Sequence, residues 1–98
     1  MNTVIETPTF QKQVDKIWSE EERLEFISWI SSNTESGDVI KGTNGARKVR
    51  WSGSSRGKRG GVRVIYFNIS ESGVLYLITI YKKSAKANIS PEEIKRAI

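Results

Sequence analysis

The sequence contains no cysteine and no histidine. Without cysteine there is no disulfide, no thiolate nucleophile and no thiolate metal ligand, and without histidine the usual acid–base group of neutral pH is missing as well. A zinc site, built mainly from those two residue types, is not expected. No apolar run approaches the 18 residues of a membrane span, and no basic-then-apolar leader ends in small residues. The expectation is a soluble, cytoplasmic protein with no membrane contact. Acidic residues are scarce in one half. Residues 46–98 hold twelve Lys and Arg against Glu71, Glu92 and Glu93, whereas residues 1–45 hold four cations against eight acids. A net charge of +5 on 98 residues therefore conceals a basic half and an acidic half of a single domain, residues 1–98, with room for one modest core.

The basic half is densest between Ala46 and Ile69, which carry Arg47, Lys48, Arg50, Arg56, Lys58, Arg59 and Arg63 and not one Asp or Glu. Two strand-like runs, Ala46 to Trp51 and Val62 to Ile69, flank a Gly/Ser/Arg-rich loop, so cations project from a sheet and from the loop joining its strands. With Trp51, Tyr66 and Phe67 nearby, the partner this pattern suits is a polyanion with stackable bases, which is to say nucleic acid.

Around this stretch the other elements follow local rules. Val4 to Glu6 reads as a short strand. Thr7 caps a helix with Pro8 at its first position and Phe10, Val14, Ile17 and Trp18 at helical spacing. Ser19 to Glu22 forms a capping box that opens a second helix, with Leu24, Phe26, Ile27, Trp29 and Ile30 as its apolar face. Gly37 to Gly45 is a loop whose apolar island, Val39-Ile40, is expected to tuck under the helices. In the first basic strand, alternation separates Arg47, Val49 and Trp51 from Lys48 and Arg50. In the next, Val62, Val64 and Tyr66 oppose Arg63, Ile65 and Phe67, which sets a permanent charge on a mostly apolar strand. Val74 to Tyr81 is a further central strand ending at Lys82-Lys83, and Ser90-Pro91-Glu92-Glu93 opens a short last helix. The fold class is α+β: an N-terminal strand and a helical hairpin packed on an antiparallel sheet, with a short C-terminal helix.

Taken together, GDVIKGTNGARKVRW (37–51), RGKRGGVRVIYF (56–67), ITIYKKSAK (78–86) and SPEEIK (90–95) resemble the RelE/ParE superfamily of bacterial type II toxins, and specifically its HigB-like branch. The resemblance covers nearly the whole chain and rests on the order and spacing of motifs that are individually weak. It implies a RelE-like fold and a ribosome-dependent or free mRNA endonuclease, without cofactor. It also implies neutralisation by a cognate antitoxin that often carries a helix-turn-helix DNA-binding domain. By the same resemblance Arg63 matches the family's functional arginine and Lys83 its functional cation at the end of the last strand, while Lys48 and Arg50 match a basic pair before the loop. The tyrosine that RelE places just after the last strand has only Ile89 near the matching position.

The residues agree with that chemistry on their own terms. Metal-free RNA cleavage uses the 2′-hydroxyl as nucleophile and needs a base, a donor to the phosphate and an acid for the leaving oxygen. With no histidine and no metal, Lys, Arg and Tyr must share the work. Arg63, always charged and forked, suits the scissile phosphate, and Lys83 suits acid–base or charge-stabilising work. Lys48, Arg50, Arg56, Lys58, Arg59, Lys82 and Lys86 are expected to hold RNA backbone. Two other readings share the scaffold: a ParE-like DNA gyrase poison without nuclease activity, and a non-catalytic RNA-binding module.

Overall fold

The computed structural model describes residues 2–51, 61–69, 71–86 and 88–98. In chain order it contains β1 (Thr3–Glu6), α1 (Pro8–Val14), α2 (Glu20–Ile30), β2 (Asp38–Val39), β3 (Ala46–Trp51), β4 (Val62–Ile69), β5 (Val74–Lys82) and α3 (Pro91–Ala97). The helix starts follow their capping residues. Thr7 Oγ1 accepts from the Phe10 amide ahead of Pro8, and reciprocal capping boxes join Ser19 to Glu22 and Ser90 to Glu93. The Thr7 hydroxyl also lies 2.9 Å from the Leu77 carbonyl, so the residue that starts α1 fastens it to β5.

The five strands form one sheet in the order β1-β5-β4-β3-β2. All neighbours are antiparallel except β1, which runs parallel to β5. The expected antiparallel meander is β3-β4-β5, and the N-terminal strand joins it as a parallel neighbour of β5. A parallel neighbour requires a crossover, and α1 and α2 provide it by carrying the chain over one face before it returns through β2. Where β1 ends, α1 closes the exposed edge of β5: Gln13 Oε1 accepts from the Ile80 amide at 3.0 Å and from Thr79 Oγ1 at 2.7 Å. Arg23 fastens β1 to α2 through a two-pronged ion pair with Glu6, at 2.6 and 2.7 Å, and that hydrogen bonding raises its pKa further. Part of the acidic half is therefore structural.

The core has two sides. Phe10, Val14, Phe26 and Ile30 of the helices bury Val49, Val64, Tyr66, Leu75, Leu77 and Ile80. At its rim, Trp51 stacks 4.7 Å from Trp29 and 5.5 Å from Phe26, with Trp18 on the far side of Phe26. On the opposite face Ile94 and Ala97 of α3 cover Ala46, Ile65, Ile78 and Tyr81. Tyr66 is consequently a core residue of the helix side, and Trp51 is half-buried against the same cluster, so neither ring is a free platform for bases.

The Val39-Ile40 island does not tuck under the helices. Asp38–Val39 is an edge strand on β3, Val39 is 59% exposed, and Ile40 rests instead against the α3-side cluster. Pairing with β3 satisfies the backbone there, and the pleat sends Val39 outward. Leu24, expected on the apolar face of α2, is 57% exposed.

The turn between α2 and β2 is held by the sheet. Tyr66 Oη accepts from the Gly37 amide at 3.0 Å and donates to Thr34 O at 2.8 Å, while Arg47 Nη1 donates to Gly37 O at 2.7 Å. A Cβ on residue 37 would lie 2.8 Å from Lys48 O and 2.9 Å from its carbonyl carbon, both backbone atoms. Gly37→Ala should therefore cost about 1–3 kcal/mol of stability by forcing the turn off β3. Chemical denaturation of the two proteins would measure it, and an unchanged midpoint would show that the turn yields freely.

Candidate nucleic-acid interface

The placement of the basic residues follows from the strand register. Lys48 and Arg50 lie on the face of β3 that looks away from α1 and α2, because Val49 and Trp51 take the helix side. Arg50 is directly opposite Arg63 on β4, and Arg63 is directly opposite Tyr81 on β5. Directly paired residues share a face, so Arg50, Arg63 and Tyr81 form one row across three strands, with Lys48 one pleat away opposite Ile65. α3 covers the neighbouring part of this face through Ile94 and Ala97. Arg63 is half-buried and Arg50 exposed. Like charges directly opposite each other destabilise a sheet, and an anion lying across them reverses the sign of that contribution.

A bulge in β5 decides which of its residues joins the row. Ile65 pairs with Thr79 but Tyr66 pairs with Leu77, leaving Ile78 as an extra residue. Leu75 and Leu77 face the helices, and without the bulge so would Tyr81. With it, Ile80 takes the helix side and Tyr81 turns to the α3 side beside Arg63. Lys82, opposite Val62, then belongs to the helix side, and the strand ends there, with Lys83 in the turn beyond it. The Lys83 amide donates to Gly61 O at 3.4 Å, which keeps the strand ends together here.

The register thus brings Lys48, Arg50 and Arg63 to one face and sends Lys82 to the other, while Lys83 is exposed in the turn that follows β5. Lys86 is ion-paired with Glu93, the same carboxylate that caps α3. Its hydrogen bond from Lys86, helped by the Ser90 amide, holds the Glu93 carboxyl below the usual carboxylate range. An RNA phosphate would compete with Glu93 for Lys86. Arg56, Lys58 and Arg59 lie outside the described residues. Arg47, counted with the basic stretch, is spent on the Gly37 turn.

Tyr81 is the residue that sequence reasoning left in the core. Its side chain is buried, and among the described residues its Oη has no hydrogen-bond partner, an arrangement that costs about 1–3 kcal/mol. Burial raises the pKa of the phenol; Arg63 opposes the shift and Glu93 adds to it. The only sequence signal was a polar-tipped aromatic at the end of an apolar strand, and the bulge that re-aims it left no mark of its own. Among the described residues no group of three or more acidic side chains converges as a metal site would require, and no helix is long and apolar enough to cross a membrane.

No family model matches this chain. Its fold is that of solved RelE structures. It superposes on a double arginine-to-alanine mutant of E. coli toxin RelE in the free state with a TM-score of 0.64 and 19% identity over 99% of this chain and 98% of the other. The isolated E. coli RelE toxin gives 0.62 and 19% over the whole of both chains. The intact E. coli RelBE toxin–antitoxin complex gives 0.63 and 17% over 84% of this chain and 96% of the matched chain. The chain has a RelE-like fold.

Proposed function

We propose that this RelE-like chain is the toxin of a type II toxin–antitoxin system and acts as a metal-independent endoribonuclease on mRNA, on the ribosome. The observation that carries the reading is the row of Arg50 and Arg63, paired across β3 and β4 on the face that also holds Lys48. Three cations on one surface with two of them directly opposed form a receptor for a phosphate backbone. Within the superfamily, the HigB-like branch rests on the sequence stretches 37–51, 56–67, 78–86 and 90–95. RelE itself has been crystallised in a complex with an antitoxin. A cognate antitoxin, with its own helix-turn-helix DNA-binding domain, would here neutralise the toxin by covering the basic face with acidic or amphipathic chain.

In this reading Arg63 holds the scissile phosphate and spreads the charge that grows on it in the transition state, and Lys83 adds a second positive charge from the strand end. Lys48 and Arg50 keep the backbone in register, with Arg56, Lys58 and Arg59 reaching it from the loop. The 2′-oxygen attacks phosphorus, the bond to the 5′-oxygen breaks, and the products are a 2′,3′-cyclic phosphate and a 5′-hydroxyl.

Induced expression followed by mapping of mRNA 5′ ends should reveal new ends within minutes, located in coding regions. Gyrase-dependent DNA breaks with intact mRNA would replace the nuclease with a gyrase poison. Replacing Arg56, Lys58 and Arg59 together should weaken RNA binding and lower the slope of log affinity against log salt by about 2–3, since each lost phosphate contact releases about one counterion fewer. An unchanged slope would move the RNA site away from the strand-loop-strand.

A further inference from the structure

Apart from Lys83, no residue assigned so far can protonate the leaving oxygen, and the sequence offers three tyrosines and no histidine for the task. The structure separates the three. Tyr66 lies on the helix side, with its hydroxyl engaged by Gly37 and Thr34. Tyr76 pairs with Phe67, four β4 residues beyond Arg63. Tyr81 alone of the three stands in the row of the two arginines, and its hydroxyl is buried with no hydrogen-bond partner among the described residues.

We propose that Tyr81 is the proton donor to the leaving 5′-oxygen during RNA cleavage at Arg63, an inference that rests on the nuclease reading above. The 2′-oxygen forms its bond to phosphorus as its proton passes to solvent. The phosphorus–O5′ bond breaks with its electron pair on O5′, and the Tyr81 phenol transfers its proton there to leave a 5′-hydroxyl. A proton from solvent then restores the phenol, so that the cycle consumes no other reactant. A phenol is protonated at neutral pH, the state a donor must start from. Arg63, directly opposite, stabilises the phenolate formed at the moment of transfer.

A hydroxyl that weakens the fold and bonds none of the described residues is what selection for activity leaves behind, because a Phe in the same space would pack equally well. The hydroxyl is covered in the free chain, so contact with RNA requires a local rearrangement on the α3 side. Moving the side chain breaks no hydrogen bond of the Tyr81 hydroxyl among the described residues.

The test compares the wild-type chain and Tyr81→Phe on two RNAs that share the mapped cleavage site, presented on programmed ribosomes. One carries the natural 5′-oxygen at the scissile linkage, and in the other that oxygen is replaced by sulfur, a leaving group that needs no proton. Tyr81→Phe should melt at or slightly above the wild-type temperature and bind RNA as tightly. It should cleave the oxygen substrate about 100-fold more slowly, yet cut the sulfur substrate at close to the wild-type rate. Wild-type cleavage of the oxygen substrate by the variant would overturn the proposal, as would an equal loss on both substrates or a lowered melting temperature that revealed a structural role. A wild-type chain that cuts neither RNA would instead remove the nuclease reading on which the proposal stands.

Discussion

Arg63→Ala is expected to abolish growth arrest on induction and to lower the rate of RNA cleavage by about 100- to 1,000-fold, the loss that follows removal of one preorganised donor to a transition-state charge. The fold should survive. Arg63 is half-buried on the face only partly covered by α3, and its strand is held by Val62, Val64, Ile65 and Tyr66, all of them buried. Removing it also relieves the like-charge pair with Arg50, a contribution that favours the variant's stability. Arg63→Lys should restore only part of the activity, because a point charge cannot grip two phosphate oxygens at once. The measurements are colony formation on induction, single-turnover cleavage, and circular dichroism of the purified variants. An alanine variant that is folded and still arrests growth at the wild-type level would move the phosphate site elsewhere.

Lys83→Ala should separate binding from chemistry. Lys83 is exposed and lies just past the last residue of β5, so alanine removes a charge and almost no packing. RNA affinity should fall less than tenfold, and its salt slope by about one. The cleavage rate at saturating RNA should fall about 100-fold, the lower range for groups acting in proton transfer or on transition-state charge. Lys82→Ala, on the face away from Arg63 by the register of β5, should leave that rate nearly unchanged. Cleavage by the wild-type chain should persist in EDTA wherever the RNA substrate itself tolerates it, with cyclic or 3′-phosphate ends and 5′-hydroxyls. Products with 5′-phosphates would instead indicate water or hydroxide as the nucleophile. A Lys83 variant impaired in affinity alone would reduce that residue to one more backbone contact.

Much of this protein was decided by local sequence. The starts of all three helices are written in Thr7-Pro8, Ser19 to Glu22 and Ser90 to Glu93, because a cap satisfies backbone amides within three or four residues of itself. The division of β3 into a helix-side face with Val49 and Trp51 and a cationic face with Lys48 and Arg50 also follows from the pleat alone, as does the face of Arg63 on β4. Other features depend on partners far along the chain. The direction of β1 beside β5 is set by where the α1–α2 crossover returns the chain, and the exposure of Val39 by its pairing with β3. The bulge at Ile78 arises from the register between β4 and β5, which no residue of β5 announces by itself. One extra residue there turns Tyr81 toward Arg63 and Lys82 away. A side-chain period of two makes every position beyond such an insertion change face, and for that reason the tertiary structure alone could complete the row of which the sequence had supplied the arginines.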